Sequence, residues 1–143
     1  MPTKRFLFSW IFSSIAMYLL SYLWHGVFLT DYEKLNYPKE LFLVFAIVVY
    51  LIIGFIVAKA VDISILIKYF KRKPLIRGII AGSLCGLVLF LMITVIGVSF
   101  SAGSNLENIL FDLIWQVIEQ MTGGIVVGII HHLIFDPRVI FED

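Results

Sequence analysis

The sequence predicts an all-α integral membrane protein, a bundle of four transmembrane helices, and three observations carry that expectation. Hydrophobic residues make up 61% and charged residues 15% of the 143 residues, whereas soluble domains hold about 45–50% apolar and about 25% charged residues. Mean hydropathy is +1.01. Four apolar stretches, Phe6–Leu29, Leu41–Ala58, Leu75–Phe100 and Leu113–Phe135, fall near the roughly 20 helical residues that a bilayer core requires. Little chain remains between them, so residues 1–143 read as one transmembrane domain.

Lys4 and Arg5 before the first apolar stretch resemble the start of a signal peptide, and Ser14-Ile15-Ala16 has the small-x-small form of a cleavage site. The apolar run continues past it to Leu29 with no polar mature start behind it, so an uncleaved first helix is expected. Pro38 precedes the second helix, where the first turn lacks partners for its N–H groups anyway. Val61–Phe70 is apolar between Lys59 and the Lys71-Arg72-Lys73 cluster. It either prolongs helix two or lies in the interface, with the cluster near anionic headgroups.

Pro74 opens the third helix, and Ser101-Ala102-Gly103-Ser104-Asn105 is a turn-rich connection. Ser104 or Asn105 can cap the fourth helix, with Glu107 and Asp112 favourable near its positive end. Pro137 closes that helix after Asp136.

Basic residues orient the bundle. Of the 11, Lys34 and Lys39 fall on one side; Lys4, Arg5, Lys59, Lys68, Lys71, Arg72, Lys73, Arg77 and Arg138 fall on the other. Cytoplasmic loops carry the excess of Lys and Arg, so both termini are expected in the cytoplasm. The formal net charge of +1 points to no nucleic-acid partner, and the single cysteine, Cys85, excludes an intrachain disulfide. The partner expected first is the lipid bilayer.

Polar groups inside the apolar helices mark the candidate site. At about 100° per residue, Ser14, Tyr18, Ser21 and His25 form a stripe on helix one, and Asp112, Gln116, Glu119 and Gly123 form one on helix four. With Asp31 and Asp112 at the outer boundary, a rise of 1.5 Å per residue puts His25 about 9 Å and Glu119 about 10 Å below it. The expectation is a shared polar site between helices one and four. Helix adhesion through polar side chains explains the serines, the tyrosine and the glutamine. It does not explain a carboxylate, which is costly in a bilayer and marks ion or proton pathways.

One nitrogen and two carboxylates from His25, Asp112 and Glu119 also form a set suited to a divalent metal such as Zn, Mn or Fe(II), with Gln116 supporting them from outside. No H-E-x-x-H, E-x-x-H or cysteine pair accompanies them.

A second polar group, His131 and His132, lies near the inner surface. Adjacent helical residues point about 100° apart, so the two cannot chelate one ion on a shared face. Interfacial hydrogen bonding is their simplest role. Haem ligation ranks below a divalent metal, because His25 lies too near the opposite surface to share a porphyrin with either. Gly78, Gly82 and Gly86 on helix three and Gly124 and Gly128 on helix four are small-xxx-small faces, serving either the core or homo-oligomerisation. Trp10, Trp24 and Trp115 fit interfacial belts, and Trp24 can alternatively wall the polar site.

The segment Leu23-Trp24-His25-Gly26-Val27-Phe28-Leu29-Thr30-Asp31-Tyr32 resembles the end of the first helix in small uncharacterised bacterial four-helix membrane proteins. The resemblance implies a four-helix membrane fold and transfers no activity and no catalytic residue; the expected setting is a bacterial inner membrane, crossed several times. The leading functional expectation is therefore translocation or gating of a proton, ion or small solute through the site between helices one and four. A metal- or haem-binding protein of redox or metal handling comes second, and a structural subunit of a membrane complex third. Catalysis is not the leading expectation.

Overall fold

The computed structural model describes residues 4–100 and 106–134. The turn at 101–105, the cap assigned to Ser104 or Asn105, Arg138 and the stop at Pro137 lie outside the described residues. Those described fold entirely as helices and short connections, without a strand. In chain order they are α1 (Lys4–Ser21), α2 (Lys39–Val61), α3 (Ser64–Tyr69), α4 (Pro74–Phe100) and α5 (Leu106–Leu133). Beyond Ser21, the first helix continues as a π-helix, Tyr22–Phe28, and Asp31–Lys34 form a 3₁₀ turn. Four helices are long and apolar enough to cross a membrane: α1 with its π continuation, α2, α4 and α5.

Local chemistry sets the boundaries. Thr30 adopts a left-handed conformation, φ 49°, which turns the chain out of the first helix. The Pro38 carbonyl then accepts the N–H of Leu41 at 3.1 Å and starts α2. The alternative left open for Val61–Phe70 resolves as a break: α2 stops at Val61, the Asp62 N–H bonds Lys59 O at 3.1 Å, and residues 64–69 form the separate α3. Exposed Ile65 and Tyr69 lie on α3 beside exposed Lys68. α5 begins at Leu106, ahead of the apolar stretch that starts at Leu113, because Glu107 and Asp112 suit a helix start even though they interrupt the apolar run.

α4 and α5 pack closely because glycine removes side chains from their shared face. A Cβ on Gly78 would meet Gly124 O, one on Gly82 would meet Gln120 O, and one on Gly86 would come to 2.8 Å from Gln116 O. Both glycine faces are thus covered within one chain, so neither is free to make the homo-oligomer contact that the sequence left as an alternative.

α1 packs between α2 and α5 with an inverted pattern. Its buried face is Phe6, Ser9, Ser13, Ser14, Met17 and Ser21, while Leu7, Phe8, Ile11, Phe12, Ile15 and Leu19 are exposed. Ser13 and Ser14 donate to Trp10 O at 3.0 and 2.8 Å, which satisfies the hydroxyls inside the helix. Ser14 fits against Gly54 of α2, where a Cβ would collide with its Oγ. Trp10 Nε1 donates to Leu51 O at 2.7 Å and ties the two helices together. Small polar residues inside and large apolar residues outside reverse the arrangement of a water-soluble bundle.

Candidate functional site

A cavity of ≈ 380 Å³ lies between the C-terminal end of the first helix, the 3₁₀ turn and the N-terminal half of α2. Tyr18, Ser21, His25, Asp31, Tyr32 and Tyr50 supply its polar atoms, and Phe42, Phe45 and Val49 much of its apolar wall. The π-helix places His25 there. Its i→i+5 turns, closed by Leu29 N–H to Trp24 O at 2.9 Å, are wider than α turns, so the advance of about 100° per residue fails after Ser21. His25 is thereby carried toward Asp31, with its Nδ1 2.9 Å from Asp31 Oδ2. Gly26 lets Tyr32 close over the helix, since a Cβ there would stand 2.8 Å from the Tyr32 ring.

Asp31 is shared. Lys34 Nζ donates to its other oxygen at 3.0 Å, and the hydrogen bond with His25 holds the Asp31 carboxyl below its ordinary value of 3.8, against a smaller opposing effect of burial. Burial is the main reason the Tyr32 phenol is pushed above its ordinary value, so it stays neutral.

Glu119 lies behind the cavity wall, 2% exposed. Its hydrogen-bond partner is Tyr50 of α2, whose hydroxyl donates to Oε1 at 2.6 Å. Gln120 Nε2 donates to the same oxygen at 3.3 Å, and Ser21 of α1 lines the same cavity as Tyr50. The Trp115 side chain is a further neighbour of the carboxylate, and its ring stacks on Trp24 at 4.2 Å and 12°. A buried carboxylate persists only when it is hydrogen-bonded, paired or protonated. Among the described residues no Lys or Arg pairs with this one.

The expected set is only partly brought together. Tyr18 and Ser21 reach the cavity, with the Tyr18 ring 6.0 Å from that of Tyr50. Instead of bonding each other, His25 and Glu119 bond Asp31 and Tyr50. Gln116 is half-buried where α5 meets Gly86, and Asp112 is exposed. Among the described residues no three His, Cys, Asp or Glu side chains form a metal-binding group, so His25, Asp112 and Glu119 are not assembled as ligands.

At the opposite end of the bundle His131 is buried and His132 exposed, as their divergent directions require. Arg77 of α4, 6% exposed, donates from Nη2 to His131 Nδ1 at 3.2 Å. Asp62 Oδ1 lies 3.7 Å from the same nitrogen and 3.9 Å from Arg5 Nη2. Four helices thus meet in one charged cluster, of which the sequence reading singled out only His131.

Tyr50 was missed as well. Its signal was available: it is the one hydroxyl in Leu41–Ala58. Comparison with protein-family models, characterised proteins and solved structures finds no match to this chain.

Proposed function

We propose that the chain is a multi-pass membrane protein that passes protons, alone or coupled to a small solute, through the Tyr50–Glu119 site. The observation that carries this reading is the buried Glu119 carboxyl, held by the Tyr50 hydroxyl at 2.6 Å beneath a cavity of ≈ 380 Å³. Intramembrane carboxyls of this kind mark ion and proton pathways. The apolar outer faces of the four long helices support membrane insertion. The distribution of Lys and Arg supports cytoplasmic termini, with the cavity then opening outward.

Toward the other surface the buried polar line continues as Gln120 and the α1 serines and reaches the Arg5–Asp62–Arg77–His131 cluster. Gln120 Oε1 and Ser9 Oγ are buried with no hydrogen-bond partner, and such atoms are natural water contacts. Met17 interrupts the line. It is 0% exposed, and its side chain fills the space beside Gly123. The arrangement therefore reads as open to the outside and closed below Glu119.

The test is proton flux in liposomes carrying an internal pH-sensitive dye. Wild-type protein should dissipate an imposed pH gradient faster than protein-free vesicles, and Glu119→Gln should fall to the protein-free rate. Equal rates for wild type and Glu119→Gln would overturn the reading.

A further inference from the structure

We propose that the outer cavity binds a small organic cation of the quaternary-ammonium class, held by the faces of its aromatic walls in the field of Glu119. The proposal rests on the reading of the same site given above and names the solute it handles. Five aromatic side chains line the cavity: Tyr18, Tyr32, Phe42, Phe45 and Tyr50. They are set at angles rather than stacked, with Tyr18 on Tyr50 at 72° and Tyr32 on Phe42 at 53°, so the rings around the space do not share one plane. Ring faces attract cations, and aromatic enclosures are how proteins recognise quaternary ammonium groups. The rim already shows this chemistry with a tethered ammonium: Lys39 Nζ lies 5.5 Å from the Tyr32 centroid and 5.7 Å from that of Tyr22.

Charge and wall composition exclude the other solute classes. The carboxylates at the cavity are Asp31, shared by His25 and Lys34, and behind the wall Glu119, which has no Lys or Arg partner among the described residues. An anion against the Tyr50 wall would face the Glu119 carboxyl, while Lys34 and Lys39 at the outer turn are already engaged by Asp31 and by the Tyr22 and Tyr32 rings. An inorganic cation stripped of water needs several oxygen ligands, and here only scattered hydroxyls and one shared carboxylate face the cavity. A soft organic cation needs neither. Its methyl groups suit Phe42, Phe45 and Val49, and its charge is answered by the rings and by the Glu119 carboxylate one hydroxyl away. The volume, ≈ 380 Å³, lies at the small end of ligand pockets, about 300–1,000 Å³.

Calorimetric titration of the purified protein in detergent tests this with choline and its uncharged isostere 3,3-dimethylbutan-1-ol. Choline should bind saturably and about tenfold more tightly than the alcohol, a ratio within what a desolvated cation–ring contact supplies. Tyr32→Leu should lose most of that preference and Tyr32→Phe, which keeps the ring, should retain it, with both variants checked for wild-type thermal stability. Glu119→Gln should weaken choline and leave the alcohol unchanged. Equal affinity for choline and the alcohol, or undiminished choline binding by Tyr32→Leu, would overturn the proposal. Proton flux that depends on Glu119 without choline binding rejects the cation and leaves the proton pathway standing; choline binding without flux supports the cation and removes translocation.

Discussion

The Tyr50 hydroxyl on α2 donates to Glu119 on α5 at 2.6 Å, and this bond joins the apolar helix with one hydroxyl to the polar stripe of the last helix. The length falls within the range of about 2.5–2.7 Å for O–H···O⁻ bonds. Tyr50 is also part of the cavity wall. Its ring therefore separates the cavity from the carboxylate while its hydroxyl reaches that carboxylate.

Removing either partner should reveal that connection. Tyr50→Phe and Glu119→Gln, alone and combined, should be non-additive in thermal stability by about 0.5–3 kcal/mol, the range for side chains in direct contact. Unfolding in detergent, followed by the Trp24–Trp115 fluorescence, provides the measurement. Strict additivity would mean that the two groups do not share a bond.

The close approach of α4 and α5 predicts intolerance to a single methyl group. A Cβ on Gly78 collides with the Gly124 carbonyl, a backbone atom that cannot swing aside as a side chain would. Gly78→Ala should cost about 1–3 kcal/mol through overpacking and lower the unfolding temperature. A wild-type midpoint would show that the helices lie farther apart.

Acid should release the outer turn. Asp31 is held below its ordinary value of 3.8, chiefly by its hydrogen bond with His25. A depressed carboxyl contributes stability that is complete above its unfolded value and lost as pH falls through the folded one. The unfolding temperature of wild type should thus exceed that of Asp31→Asn at neutral pH, and the gap should close only below pH 3.8. A gap that persists unchanged in stronger acid would show that the carboxylate contributes nothing.

Orientation has its own test. A cysteine at exposed Asn36, in the turn that carries Lys34 and Lys39, should react in intact cells with a reagent that does not cross membranes. One at exposed Lys68 of α3 should react only after the membrane is opened. The reverse pattern would invert the bundle and turn the cavity inward.

The four long helices were legible in the sequence because hydropathy accumulates over about twenty residues and tolerates local irregularity. The inward face of α1 was legible as far as Ser21 for the same reason that its geometry is regular there. His25 was legible as a neighbour of Tyr18 and Ser21, which line the same cavity, but its bond to Asp31 instead of Glu119 was not, because i→i+5 hydrogen bonding at Tyr22–Phe28 has no local sequence signal. Tyr50 makes no stripe, being alone in its helix, so periodicity passed over it. Arg77 read as a topology charge at a helix end, and only the meeting of four helices shows that it is buried against His131.

Met17 provides the sharpest test of the pathway. It lies one turn below Ser21 and one turn above Ser13 and Ser14 on α1, fully enclosed, with its thioether filling the space that a side chain at Gly123 would need. Met17→Ala should destabilise the bundle by about 2–5 kcal/mol, as large-to-small core changes do. The space it opens lies at Gly123, one turn along α5 from Gln120 with its unpartnered Oε1, and on the face of α1 that carries the buried serines. Empty cavities stay dry when their lining is apolar and take up water when polar groups line them. Water there would bridge the gap between Glu119 and the lower serines, so proton flux in liposomes should rise severalfold even as thermal stability drops. Met17→Leu, which preserves most of the volume, should leave flux near wild type. The decisive variant combines Met17→Ala with Glu119→Gln. A proton path through the carboxyl requires this double variant to lose the added flux, whereas a leak that survives the loss of Glu119 would place the conducting route elsewhere in the bundle.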